Sequence, residues 1–412
     1  MKKKLGGILL FLAAFLMCIP ATGSAMTADE FASMYDQLEK IDIGGALRFQ
    51  YNYKDWDDAQ DERGGDFDFD TFRLNLDGEI GDMILSAEYR FYPEYDFNTI
   101  HHGWIGYNFN ENWQGQVGIH QVPFGIQPYA SHNFWFSGAY YAGFEDDYDL
   151  GLKALYNNGP WDLAVAFYKN AELGDASDAG RYSIDILETG ISYDDDTDTV
   201  TDARANEETN QGNIRLAYTM THNDENSTEF GISGQYGQIY NGITNDTGDS
   251  WAGAVHMVGN YGRWNIQLEG VTYEYDPENP DTVAYEDSTY AVNVNDDIMA
   301  VGGYSFNWAI PSEAMIGIAN IAYTLPVDIG PINSFTFYSD NTVIEPDESD
   351  WDESWLNVIG CMIASGPVYT YVDLISGENM PFMGGSMVNN IDGWEASSDR
   401  NTRLNINFGY YF

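Results

Sequence analysis

Basic side chains recur at alternate positions of short, otherwise apolar segments. Arg48 and Lys54 lie in ALRFQYNYK (46–54), Arg73 in TFRLNLD (71–77) and Arg90 in MILSAEYRFY (83–92). Asp77 and Glu88 fall on the same faces, and His120 does so in the next such segment. Fixed charges of both signs on one face set up a field that orders water and sorts ions. They do not make the nucleophile, base and orienting carboxylate that a hydrolase assembles. No local motif marks a serine nucleophile and no C-x-x-C-H haem signature occurs, so neither an enzyme nor an organic cofactor is expected. Acid runs form a second constellation: Asp55-Trp56-Asp57-Asp58, Asp194, Asp195, Asp196 with Asp198, and Asp347-Glu348 through Asp352-Glu353. Clustered carboxylates can hold Ca²⁺ or Mg²⁺, hard cations that take oxygen ligands. Asp194, Asp195, Asp196 and Asp198 are the metal candidates, against the simpler reading of a solvated loop. Asp66, Asp68 and Asp70 mimic an EF-hand start, but Thr71 stands where that loop needs glycine, so that reading is rejected.

The elements that must position these groups read with period two. In 46–54, Leu47, Phe49, Tyr51 and Tyr53 alternate with the polar set, and 83–92 repeats the pattern. Similar stretches occur at 162–169, 213–221, 229–236 and 264–273, the signature of half-buried strands. Short connections such as GEIGD (78–82), NENW (110–113), NNGP (157–160) and NYGR (260–263) alternate with long polar ones, including 123–147, 171–209, 274–312 and 377–400. Aromatics gather near strand ends. Short turns alternating with long loops, with aromatic girdles, are the pattern of a transmembrane antiparallel up-and-down β-barrel. The final RLNINFGYYF (403–412) alternates to a terminal phenylalanine, like the closing strand of outer-membrane proteins. Seventeen strand candidates can be counted. An even number is needed, so 296–308, the weakest, is assigned to a loop and 314–325 to a strand, giving about 16 strands. Eighteen is the alternative, with an extra strand near 379–390.

Composition narrows the class further. The 412 residues carry 17 Lys+Arg against 65 Asp+Glu, a formal net charge of −48. Such acidity excludes nucleic-acid binding through a basic surface. Aromatic content of 15% argues against disorder. At the N-terminus, Lys2–Lys4, an apolar Ile8–Ile19 and Gly23-Ser24-Ala25 make a signal peptide over 1–25. Cleavage after Ala25 would leave Cys361 as the lone mature cysteine. Residues 27–39 have helical spacing, and 26–42 reads as a short periplasmic segment ahead of a barrel over 43–412. No later stretch has 18 apolar residues, which excludes a helical membrane span.

The hairpin FDTFRLNLDGEIGDMILSAEYRF (69–91), GQVGIHQVPFGIQ (115–127) and AYTLPVDIGPINSFTFY (322–338) resemble the phosphate-selective porin O/P family of Gram-negative outer membranes. The resemblance implies a 16-stranded homotrimer, passive diffusion of small hydrophilic solutes, and a loop folded inward as the constriction, by position 123–147. In such a barrel Arg48, Lys54, Arg73, Asp77, Glu88, Arg90 and His120 are pore-lining. Glu145, Asp146 and Asp147 of the loop are the opposing acids of a transverse field. The simpler reading is ion pairing that braces the wall. Outer-membrane lipid is the surrounding partner, and lipopolysaccharide could be bridged by divalent ions on the acid loops. Phosphate selectivity in that family rests on many pore-lining Arg and Lys. Here none occurs between Arg263 and Arg400, whereas 23 Asp and Glu do. An acidic mouth enriches cations, so a weakly cation-selective pore is expected. The alternatives are an anion- or phosphate-selective porin, or a non-channel barrel such as a cytochrome sheath or adhesin.

Overall fold

The computed structural model describes residues 41–348, 351–388 and 399–412. The expected signal peptide, Cys18, the helical stretch 27–39 and most of the segment 26–42 lie outside the described residues.

Alternation of apolar and polar side chains produces long, pleated strands. In chain order they are β1 (Ile41–Lys54), β2 (Asp66–Ile80), β3 (Met83–Tyr92), β4 (Phe97–Asn108), β5 (Trp113–Gln121), β6 (Tyr148–Asn158) and β7 (Trp161–Ala171). Short strands β8 (Asp185–Ile186), β9 (Gly190–Asp194) and β10 (Thr199–Arg204) follow. Then come β11 (Asn206–Asn223), β12 (Asn226–Asn241), β13 (Thr247–Tyr261) and β14 (Trp264–Asp276). After β15 (Thr282–Tyr285), β16 (Ser288–Ala291), β17 (Ile298–Gly303) and β18 (Phe306–Pro311), the chain returns to long strands. These are β19 (Glu313–Ile329), β20 (Ile332–Pro346), β21 (Ser354–Ser365), β22 (Val368–Glu378) and β23 (Asn401–Tyr411).

The sixteen long strands close into an antiparallel barrel, each beside its neighbour in the sequence of long strands. The expected count of 16 holds. The eighteen-strand alternative fails, because 379–388 is irregular chain between β22 and β23. Segment 296–308 does form extended structure, but as the β17–β18 hairpin, to which β8 adds a third strand apart from the barrel. Its residues Ile298–Gly303 are buried throughout.

One end of the barrel carries tight turns, including Gly81-Asp82, Gly159-Pro160, Gly262-Arg263, Gly330-Pro331 and Gly366-Pro367. The other end carries the long connections. In the first of these a short helix, α1 (Asp58–Arg63), is capped by Asp57, which accepts from Ala59 N and Gln60 N at 3.1 Å each. Asp55 accepts from Thr402 N at 2.8 Å. The first acid run thus spends two of its carboxylates on backbone donors, one local and one from the last strand.

Outward positions are apolar and exposed, as at Ile105, Val117, Leu152, Val165, Phe167, Val255 and Ile359. This is the outer face that lipid requires. Trp113–Tyr156, Trp161–Tyr218 and Trp264–Tyr323 pair at 4.7–4.8 Å beside the tight turns, forming part of one girdle. No helix among the described residues is long and apolar enough to cross a membrane. Inward positions are polar. Where β1 meets β23, Asn405 Nδ2 donates to Gln50 Oε1 at 3.0 Å and to Asn52 Oδ1 at 2.7 Å, and Arg403 donates twice to Asn52 Oδ1. Closure is therefore completed by a ladder of buried hydrogen-bonded side chains.

Candidate functional site

Between β5 and β6 the chain leaves the wall for residues 122–147 and folds into the lumen. Val122 N donates to Asp147 O at 2.8 Å, which closes the neck of the loop. At Gly125 the backbone has φ +55°, and a methyl group there would strike the Glu269 carboxylate. Glycine suits that left-handed conformation, and a side chain there would have to displace the Glu269 carboxylate. Inside the loop, Glu145 accepts from Ala130 N at 2.9 Å, Ser131 Oγ at 3.1 Å and Ser137 N at 2.8 Å.

The outer side of the loop is stitched to one half of the wall. Arg215 Nε donates to Gly125 O at 2.7 Å, and Ser233 and Glu269 accept from Gly125 N and Ile126 N at 3.1 Å each. Asn320 Nδ2 donates to Ala130 O at 2.7 Å. At the apex Asp340 takes four bonds. Its Oδ2 accepts from His132 N (2.7 Å), Asn133 N (3.0 Å) and Asn133 Nδ2 (2.8 Å), and its Oδ1 lies 2.7 Å from His132 Nδ1. Asp373 Oδ2 accepts from Phe134 N at 3.1 Å, and Thr342 Oγ1 from Gly138 N at 3.0 Å.

The loop fills that half of the barrel and leaves space against the other. A cavity of about 380 Å³ remains between its apex and the inner faces of β1–β3 and β22–β23. Arg48, Arg73 and Arg90 line it from the wall, and Phe134, Trp135 and Phe136 from the loop. The Arg48 guanidinium lies 4.9 Å from the centre of the Phe134 ring, an attractive cation–π contact. A second cavity of about 400 Å³, lined by Asp77 and Glu88, continues on the tight-turn side. Arg73 and Tyr411 line both.

The charges pair unevenly. Arg48 Nε sits 2.8 Å from Asp70 Oδ2, Arg73 lies 3.5 Å from Glu88, and Arg90 bonds to the same Glu88 carboxylate. Three guanidinium groups thus share two carboxylates. Asp77 pairs with none of them and accepts instead from Ser86 Oγ at 2.7 Å.

The loop acids differ most from expectation. Glu145 and Asp146 are 4% and 3% exposed and do not line the cavity. Glu145 is consumed by the loop's own donors. Asp146 Oδ2 accepts from Tyr182 OH at 2.5 Å, and burial pushes its carboxyl up to about 7. Asp147 gathers with Asp149 and Asp185 at the loop's exit. Asp70 is the only carboxylate lining the main cavity among the described residues. The surface opposing the arginines is aromatic, because each loop acid finds buried backbone or hydroxyl donors nearer than the wall.

His120 faces inward as alternation requires, but it is 1% exposed and sits 3.1 Å from Tyr168 OH, away from the cavity. Lys54 lies at the long-loop end, opposite Arg403 of β23. Asp194, Asp195, Asp196 and Asp198 lie in the β9–β10 turn. There Asp194 accepts from Asp196 N at 2.8 Å, and Tyr193 OH donates to Asp198. These four form no cluster of donor atoms within 4.8 Å of one another. Among the described residues Asp147, Asp149 and Asp185 alone do so.

Arg403 was not singled out by sequence reasoning, yet its guanidinium lies 3.9 Å from the centre of the Trp135 ring. Its signal was present, since Arg403, Asn405 and Asn407 form the polar face of the last strand. Asp340, Asp373 and Glu269 gave none: nothing near them in sequence sets them apart from the other acids of β20, β22 and β14.

Among solved structures, the anion-selective porin from Comamonas acidovorans is 12% identical with a TM-score of 0.55, over 90% of this chain and 99% of that one. The outer-membrane channel DcaP of Acinetobacter baumannii is 12% identical at 0.52, over 90% and 97%. The trimer form of OmpT from Vibrio cholerae is 11% identical at 0.52, over 90% and 99%. At these identities the likeness is one of fold. No curated protein sequence gives a significant match. Residues 43–305, well over half of the chain, match the sequence profile described as phosphate-selective porin O and P. By that match this protein is a member of the phosphate-selective porin O and P family, outer-membrane channels for passive diffusion.

Proposed function

We propose that this porin passes small anions, with organic carboxylates foremost, through an arginine-lined constriction set inside an acidic mouth. Diffusion through a water-filled barrel involves no reaction. One observation carries the reading: Arg48, Arg73 and Arg90 line the cavity with a single carboxylate, Asp70, while Glu145 and Asp146 of the facing loop are buried against other donors and do not line it. The aromatic face opposite suits a solute with a carboxylate at one end and an apolar body. The Comamonas porin, described as anion-selective, has the same fold and agrees with this reading. The trimer form of the Vibrio porin supports a homotrimer here. Export by a signal peptide ending at Ala25, and lipopolysaccharide bound at the acid loops, belong to the same proposal.

The net charge of −48 favours the opposite selectivity, and the two readings separate by salt. Mouth carboxylates are screened over about 10 Å at 0.1 M and about 3 Å at 1 M, whereas partly buried charges are screened less. The test is the reversal potential of the purified protein in a planar bilayer under KCl gradients. An anion-favouring potential that strengthens from 0.1 M to 1 M supports the arginine constriction. A cation-favouring potential at 1 M would return selectivity to the acid loops.

A further inference from the structure

At the exit of the inward loop, carboxylates converge from three segments. Asp147 ends the loop, Asp149 points inward from β6, and Asp185 comes from the long connection after β7. Their donor atoms lie within 4.8 Å of one another. Glu172 and Glu208 are close enough for their charges to be felt there. The one cation is Arg181, fully buried, whose Nη1 lies 3.3 Å from Asp185 and 4.0 Å from Glu172. Its other nitrogens donate to the carbonyls of Asp178 and Asp175 at 2.7 Å. Five acids, three of them buried and two half-buried, therefore share one guanidinium, an arrangement that favours further positive charge.

Unused oxygens show where that charge belongs. Asp149 is 1% exposed, and its Oδ2 accepts from Gln211 at 3.2 Å, while its Oδ1 has no hydrogen-bond partner. Asp147 Oδ1 is likewise buried and without one. A buried acceptor with nothing to accept is costly and calls for a ligand. We propose that Asp147, Asp149 and Asp185 bind one calcium ion. Calcium takes oxygen ligands at about 2.3–2.6 Å, so oxygens on opposite sides of it stand up to about 5 Å apart, as these do. All the donors are carboxylate oxygens, the set that hard cations prefer. A bound ion would tie the exit of the constriction loop to the wall and to the connection carrying β8.

The full-length protein in detergent, stripped with EDTA, is titrated with CaCl₂ by calorimetry and by ⁴⁵Ca equilibrium dialysis. The expected result is one tight equivalent. It should weaken at least tenfold in Asp149→Asn and in Asp185→Asn, and persist in Asp194→Asn/Asp196→Asn. Heat-modifiable migration on gels reports that each barrel has folded. Should Asp149→Asn fail to fold, Asp185→Asn, in a connection outside the barrel, carries the test. Absence of stoichiometric binding, or equal binding by Asp185→Asn, would overturn the proposal. So would an infrared carboxylic-acid band at neutral pH in calcium-saturated protein that vanishes in Asp149→Asn, because the acids would then hold protons instead.

Discussion

Asp340→Ala is expected to release the apex of the inward loop while leaving the barrel intact. The Asp340 carboxylate takes four bonds from His132 and Asn133, all between 2.7 and 3.0 Å. Hydrogen bonds to a charged group contribute about 1.5–3 kcal/mol each, a gross total of roughly 6–12 kcal/mol. Bonds in one network do not add, and water reaching the freed donors recovers part. A net loss of about 3 kcal/mol is a cautious figure, and it multiplies the undocked fraction of the apex by about 150-fold, at roughly 1.4 kcal/mol per factor of ten. Glu145 still holds the loop's interior and Asp373 still holds Phe134, so the loop should swing rather than unravel. Single-channel recordings should then show flicker between conductance levels where the parent is quiet. Asp340→Asn keeps one acceptor oxygen but turns an amide toward donors, so its flicker should be intermediate. A quiet Asp340→Ala channel of parental conductance would refute the idea that this carboxylate holds the constriction.

Other outcomes follow from the same geometry. Burial alone would lower the His132 pKa, but the bond to Asp340 and its charge outweigh burial and raise it. Its contribution to docking is then complete below the ordinary histidine value and is lost as pH rises through the raised one. Flicker should increase on going alkaline, and His132→Gln should abolish that dependence. Asp146, near 7, bonds to Tyr182, whose ring lies 4.4 Å from the Arg90 guanidinium. As pH falls from 8 to 6 it gains a proton, so the anion-to-cation permeability ratio should rise, and Asp146→Asn should fix the ratio at its acid value. A unit charge about 10 Å from the permeating ion in water is worth about 0.4 kcal/mol. The anion loses that much and the cation gains it, so Arg48→Gln with Arg73→Gln should lower the ratio by about fourfold per charge in reversal-potential measurements. Gly118 has φ +132°, and an added Cβ would sit 2.7 Å from the Trp104 Cα. Gly118→Ala should fail to give heat-modifiable barrel.

Period-two reading located the strands, their facing and the arginine wall, because each of those is decided by residues near in sequence. Arg48, Arg73 and Arg90 line the cavity as alternation implied. What stands opposite them was not readable. The loop's course depends on bonds such as Gly125 to Ser233 and His132 to Asp340, between residues 108 and 208 positions apart. No local pattern encodes such a pairing. The same blindness made Glu145, Asp146 and Asp147 look like pore charges, although each is spent on buried partners or on the carboxylate cluster. Segment 296–308, the weakest strand candidate, covers β17 and the start of β18, and only the long-range partner β8 reveals that it belongs to a loop sheet.

Arg403 has two duties on opposite sides of its guanidinium. It grips Asn52 of the first strand, and it lies beneath Trp135 of the inward loop. The first duty can begin only when the two ends of the chain have met, since its partners stand 351 positions apart. Until then Trp135 has no cation to rest on. The narrowing of the passage is thereby made conditional on the completed seam.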